Sequence, residues 1–305
     1  MSTPDSTGAP ALRERPVEHG WRDYLALTKL RVVSLIVLTS VVGTLLSVPG
    51  LPPLAPLLLG NLGIGLAAMS AAAFNHVLDR RIDARMARTR NRPLPSGHLQ
   101  PANAIGFAVA LGAASMLILA AFVNPLTAML TFASLIGYAI IYTVWLKRAT
   151  PQNIVIGGAA GAAPPVLGWA AVTNNIDPQA LLLFLIIFTW TPPHFWALAI
   201  ARRNDYAKAD IPMLPVTHGV EFTRLHVLLY TLILAAVTVL PYVTGMTGLI
   251  YLAAALALNA RFLWLAVVLK VSGRDDLPMR VFRYSINYLM WLFVALLVDH
   301  YLRVG

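Results

Sequence analysis

Long apolar runs separated by short polar breaks dominate this chain. A helix needs about twenty apolar residues to cross a hydrocarbon core of ~30 Å. Blocks of that length fall at 31–48, 55–78, 103–123, 126–146, 154–173, 180–201, 224–245, 247–270 and 284–303. Turn signals divide them: "VPGLPP", "NP", "KRATPQN", "TNNIDPQ", "TGMTG" and "SGRDDLP". The pattern predicts an all-α integral membrane protein of nine transmembrane helices, with its termini on opposite sides. The first thirty residues carry prolines and charges but no apolar core, which excludes a cleavable signal peptide. Within them "WRDYLALTKLR" has the mixed character of a short helix lying at the membrane surface. The expected organisation is a cytoplasmic extension over 1–30 with that interfacial helix, followed by a single transmembrane domain over 31–305.

Composition agrees with this picture. Of 305 residues, 58% are hydrophobic and only 12% charged, about half the charged share of a soluble domain. The absence of cysteine excludes disulfides, thiolate zinc sites and cysteine nucleophiles. The net charge of +10 would suit nucleic acid, but flanking basic residues are expected of membrane spans on topological grounds alone. No nucleic-acid partner is expected. With the N-terminus inside, all but two of the 23 lysines and arginines lie on the inner side. The exceptions are Arg303 near the C-terminus and Arg261 within the eighth block. The positive-inside rule therefore predicts a cytoplasmic N-terminus and an outer C-terminus, with every polar loop that carries chemistry on the cytoplasmic face.

The most polar passage, "FNHVLDRRIDARMARTRNRPLPSG" at 74–97, follows an apolar run without a gap. Asn75, Asp79 and Asp83 recur at every fourth residue, so each step drifts only about 40° and the three share one helix face over about 12 Å. Carboxylates at a membrane border are costly and usually functional. Two carboxylates and an amide oxygen suit a hard cation such as Mg²⁺, which takes much of its shell from water and substrate phosphates. Arg85, Arg88, Arg90 and Arg92 follow, and guanidinium groups grip phosphate oxygens bidentately. Acids beside bases in this order point to a metal-bridged diphosphate. The competing reading is a solvated helix end where the aspartates pair with Arg80, Arg81 and Arg85. Spacing alone leaves both open.

A second polar stretch, "TPPHFWALAIARRNDYAKADIPMLPVTHG" at 191–219, again closes an inner-going span with Asp205, Lys208 and Asp210. Asp205 and Asp210 are five apart, about 140° around a helix, so one at most joins the metal site by helical geometry; Asp205 is the expected one. His194 follows a proline pair that would break the ladder of its span, a break tolerated where neighbours or a cavity satisfy the released groups. Lining a cavity and serving as a satisfied core residue are equally open to it. Gly157, Gly158 and Gly161 with Pro164 and Pro165 predict close packing and a kink in the fifth span.

The two polar loops together resemble the UbiA family of intramembrane prenyltransferases, whose hallmark is N-x-x-x-D-x-x-x-D on one helix and a second acidic motif later in the chain. "NHVLDRRIDARMARTRNRPLPSG", "YTVWLKRATPQNIVIGGAAGAAPPVLGW", "WTPPHFWALAI" and "DYAKADIPMLPV" are similar to the branch of that family that acts on heme. The resemblance extends from about Lys29 through the last span. It implies a nine-helix bundle around a central cavity open to the cytoplasmic side. The implied reaction moves farnesyl from farnesyl diphosphate to a vinyl group of heme b, with water added, giving heme o and diphosphate. Heme b is then a substrate, Mg²⁺ the cofactor, and the setting a bacterial inner membrane. Heme A synthase or oxidase assembly proteins are the partners such a role suggests. By motif position, Asn75, Asp79, Asp83 and Asp205 would hold Mg²⁺ and Arg88, Arg92 and Lys208 the diphosphate, while His194 falls on the heme side. Lys147 and Arg148 are candidates for the heme propionates, and Trp169, Phe195, Trp196 and Met213 for the apolar tunnel. The second loop departs from the family's D-x-x-x-D spacing. Two other functions share features of this chain. One is transfer to an aromatic or quinone-precursor acceptor; the other is a polytopic transporter, which would place ionisable residues at mid-membrane depth in inverted repeats.

Overall fold

The computed structural model describes residues 20–304, except the side chains of Arg148 and Val304; residues 1–19 of the predicted extension lie outside it. Every regular element among the described residues is helical. A short helix α1 (Trp21–Leu27) is followed by α2 (Leu30–Leu46), and the two meet at 52°. Lys29 makes that bend in the left-handed region at φ 50. Next come α3 (Pro56–Asp83), α4 (Pro101–Phe122), α5 (Pro125–Leu146), α6 (Asn153–Thr173) and α7 (Pro178–Ala201). The short α8 (Arg203–Lys208) precedes α9 (Gly219–Val243), α10 (Leu249–Ser272) and α11 (Leu277–Arg303). Eight of these are long and apolar enough to cross a membrane, or nine if bent α1–α2 forms one span. The protein is an integral membrane protein.

Proline at the first turn of α3, α4, α5 and α7 marks their starts, where no backbone N–H is needed. At α5 the Asn124 side chain also accepts from Thr127 N at 2.8 Å. α3 continues to Asp83, five residues past the end expected from hydropathy, so the polar face at 75–83 belongs to the helix itself. Polar residues that lower a hydropathy window do not end a helix whose backbone is bonded internally.

Successive spanning helices pack side by side, and α11 returns to α2. His300 Nε2 lies 3.1 Å from the Val48 carbonyl where that ring closes. α2 also crosses α6 closely: a Cβ on Gly43 would overlap the Pro165 backbone, and one on Gly168 the Ser40 carbonyl. α6 is interrupted at Ala163 and resumes at Pro164, as the proline pair predicts. Gly157 lies against Tyr142 and Gly158 against Thr191, whereas a Cβ on Gly161 would face open space. Pro192 and Pro193 do not break α7, which runs through them with neighbours on several sides. The main core joins α7, α9, α10 and α11 through Trp196, Val227, Tyr251, Phe262, Tyr288 and Phe293.

Two charged residues within the spans have distinct surroundings. Asp299 is buried and accepts from Gly248 N at 2.6 Å and Tyr251 N at 3.1 Å, capping α10 from a neighbouring helix. Arg261 is exposed on the outer face of α10 with its guanidinium 5.2 Å from the Trp264 ring centre.

Candidate active site

The polar face of α3 is buried: Asn75, Asp79 and Asp83 are each at most 5% exposed. Asn75 Nδ2 donates to Asp79 Oδ2 at 2.8 Å. None of the three pairs with Arg80, Arg81 or Arg85 among the described residues; their cations come from elsewhere. Lys147 Nζ is 2.5 Å from Asp79 Oδ2. Lys29 Nζ is 2.5 Å from Asn75 Oδ1. Arg92 reaches back to Asp83 Oδ2 at 2.7 Å. Three cations from three parts of the chain thus converge on one helix face.

Each arrives for a local reason. The left-handed turn at Lys29 aims its side chain at α3 where α1 meets α2. The last ten residues of α5, Gly137–Leu146, are wound as a π-helix, a form frequent at functional sites. There the Thr143 hydroxyl donates to Tyr138 O at 2.9 Å and accepts from Asn75 Nδ2 at 3.3 Å. The helix then delivers Lys147. The 84–100 segment is anchored by buried Met86, Leu94 and Leu99, and Thr89 Oγ1 donates to Asp83 O at 2.9 Å. That fold-back carries Arg92 to Asp83.

Asp79 Oδ1 is buried without a hydrogen-bond partner. A buried carboxylate oxygen with nothing to accept from is costly unless a cation completes it. Together with the Asn75 and Asp83 oxygens, it fits a hard divalent ion such as Mg²⁺.

The second polar segment meets the first at its edge. Arg85 lies 3.4 Å from Asp210, an exposed pair that contributes little. Tyr206 on α8 is raised above the usual phenol range by burial, opposed by the nearby Arg88 charge, with Asp205 raising it further. Asp205, expected as a fourth metal ligand, is not brought to Asp79 and Asp83: no three histidines, aspartates or glutamates among the described residues gather as a ligand set. α8 starts afresh after Arg202, and Asp205 instead lines a polar cleft of about 610 Å³ with Arg202, Arg203, Glu221 and Arg224. Lys208 is exposed.

The expected heme-side residues divide. His194 is buried in α7, its ring stacked on Trp190 and Phe282. Lys147 belongs with Asp79. Trp169 donates from Nε1 to Asp177 Oδ2 at 2.6 Å, at the end of the bundle away from α3's acids. The Arg148 side chain lies outside the described residues. Trp196 and Met213 are packed in the core, and Phe195 is partly exposed. Lys29 and Thr143 join the site without being expected from the sequence. A lysine beside an apolar block is the only sign of Lys29, and no sequence feature marks Thr143.

A membrane-embedded helical ring with acids and cations gathered at one end defines an intramembrane enzyme that handles a charged group at the bilayer border. A family model described as the UbiA prenyltransferase family matches residues 36–295. The chain belongs to that family and is a prenyltransferase. It is 63% identical to a protoheme IX farnesyltransferase of Methylococcus capsulatus, covering 98% of this chain and 99% of the relative. It is also 63% identical to one of Alkalilimnicola ehrlichii, over 93% and 94%. Among solved structures, a digeranylgeranylglyceryl phosphate synthase matches with TM-score 0.78 at 17% identity, over 92% of this chain and 98% of that one. A UbiA homolog from Archaeoglobus fulgidus bound to DMAPP and Mg²⁺ matches with TM-score 0.62 at 17% identity, over 90% and 99%. These two likenesses establish the fold.

Proposed function

We propose that this protein transfers the farnesyl group of farnesyl diphosphate to a vinyl group of heme b, giving heme o and diphosphate. The observation that carries the diphosphate half is the convergence of Lys29, Lys147 and Arg92 on Asn75, Asp79 and Asp83, with Asp79 Oδ1 unpartnered. The relatives named for protoheme IX support the acceptor.

In this reading Asn75, Asp79 and Asp83 would hold Mg²⁺, which would supply positive charge to the departing diphosphate. Lys29 and Lys147 have flexible stems, so they can turn from the acids to phosphate oxygens when a metal is held there. Arg92, and Arg88 beside Tyr206, grip the same group. As the allylic C–O bond breaks, these fixed charges stabilise the growing negative charge in a poorly solvated place. The vinyl π pair forms the new C–C bond to farnesyl C1, and water adds to the remaining vinyl carbon and gives up a proton. His194, buried in aromatic surroundings, stands on the heme side as proton acceptor or iron ligand. Lys208, exposed on α8, is available to the diphosphate, while Asp205 lines the neighbouring cleft among Arg202, Arg203 and Arg224. Arg148 stays a propionate candidate.

The same reading puts the chain in a bacterial inner membrane, with its N-terminus and this site cytoplasmic and its C-terminus outside. It treats 1–30 as an extension of one transmembrane domain, and heme A synthase or oxidase assembly proteins as its partners. The test is a mass spectrum of heme extracted from cells with and without the gene, paired with purified protein given farnesyl diphosphate and heme b. Heme o should appear only with the intact protein, and Asp79→Asn should abolish it while still inserting. Prenylation of a hydroxybenzoate but not of heme would overturn the acceptor and leave the diphosphate site standing.

A further inference from the structure

His194 sits between two helices. Trp190, one turn earlier on α7, stacks on its imidazole with ring centres 4.2 Å apart and planes at 20°. From α11, Phe282 stacks on it at 4.6 Å and 29°. The ring can rotate little between them. Its edge is held by fully buried Ser285, whose Oγ lies 2.7 Å from His194 Nδ1. The Ser285 carbonyl in turn accepts from Trp190 Nε1 at 2.8 Å, tying the stacking partner to the same residue.

The proton count around Ser285 decides what the imidazole presents. Ser285 Oγ is also 2.7 Å from the Phe282 carbonyl oxygen. A carbonyl can only accept, and a hydroxyl has one hydrogen. If that hydrogen turned to Nδ1, two oxygens would face each other at 2.7 Å with no proton between them. Both contacts are hydrogen bonds only when Ser285 donates to Phe282 and accepts from an Nδ1–H. A neutral imidazole has one N–H, so the lone pair is then on Nε2. Among the described residues Nε2 has no hydrogen-bond partner.

We propose that Ser285 is the positioning residue that commits His194 to the Nδ1–H tautomer and so presents the Nε2 lone pair to the substrate side. Both uses of His194, proton acceptor and iron ligand, need that lone pair, so the inference holds for either. It rests on the reading of His194 as a heme-side residue. Ser285 touches no reacting atom and acts through the imidazole, as partners that orient a metal-bound or basic histidine do.

The experiment is a double-mutant cycle on the purified full-length protein with farnesyl diphosphate and heme b. Ser285→Ala is expected to lower kcat by about 10- to 100-fold, leaving the KM for farnesyl diphosphate unchanged. In a His194→Ala background, Ser285→Ala should add no further loss, an outcome that a general packing role would not produce. Should Ser285→Ala fail to fold, near-isosteric Ser285→Cys, a weaker acceptor, carries the same comparison. Wild-type kcat in the serine variant, or a loss that adds in full to that of His194→Ala, overturns the inference and leaves the proposed function intact. A fully active His194→Ala removes both the heme-side role and this inference. An intact protein that turns over no heme b brings down the proposed function itself.

Discussion

Asp79 has one oxygen held by Lys147 and Asn75 and one with no partner. Removing Lys147 therefore strips a buried carboxylate of its cation, a change that costs about 3 kcal/mol when the charge cannot be hydrated. Lys147→Gln is expected to lower the melting temperature and abolish turnover. Adding Asp79→Asn should recover much of the stability, because the uncompensated charge is gone, and none of the activity. Thermal melts and turnover in the three variants check this, and equal recovery of both would contradict it. Arg88 and Arg92 separate in a similar way. Arg92 is engaged with Asp83, so Arg92→Lys should reduce both stability and rate. Arg88 is exposed, so Arg88→Lys should reduce rate alone, since lysine lacks the bidentate fork. Two unchanged rates would return both arginines to topology. The acids are legible in the sequence because spacings of four repeat within one helix. Their cations are not, since Lys29 and Lys147 lie 46 and 68 residues from their partners. Only a left-handed turn and a π-helix bring them there.

Hydropathy locates the eight long spans and the α2 part of the bent α1–α2 pair, but misjudges the ends that carry polar side chains. α11 starts at Leu277, seven residues before the expected start, because Arg280 and Arg283 depress the hydropathy there without disturbing the helix. The proline pair of α7 misleads in the opposite sense: local rules predict a break, and packing on several sides overrides them. Helix ends also depend on distant residues. Asp299 caps α10 from α11, and its loss leaves the buried Tyr251 N–H and the half-buried Gly248 N–H unpaired beside the positive end of the helix dipole. Asp299→Ala is expected to cost about 1–2 kcal/mol, measured as a lower melting temperature, with turnover at low temperature unchanged. A large fall in rate without a fall in stability would mean that this end takes part in the reaction.

For the whole molecule, the arrangement places the polar loops, the metal-type face of α3 and the cleft of α7–α9 at one end. Charge asymmetry across the loops makes this legible from the chain alone, because basic residues resist transfer across the membrane. The absence of cysteine makes the orientation directly measurable. A single Ser96→Cys in the α3–α4 segment should be shielded from an impermeant maleimide added to intact cells, while Thr244→Cys between α9 and α10 should be labelled. The reverse pattern would invert the topology and put the diphosphate site outside. The closure of α11 on α2 and the partnership of His194 with Ser285, 91 residues on, have no sequence signal, because each depends on which helices become neighbours.

The π-wound end of α5 carries a consequence for inheritance. Its position along the chain, and not only its residues, brings Lys147 to Asp79. A lineage that lost one lipid-facing residue there, such as Ile141, would keep every charged and polar group of the site and relax toward ordinary α-winding. Fewer residues at tighter winding would deliver Lys147 at another angle and height against α3, and the ammonium would leave the carboxylate. Such a one-residue deletion should yield a protein that inserts and purifies but turns over nothing. Chain length in this stretch is therefore under as much constraint as the identity of the acids.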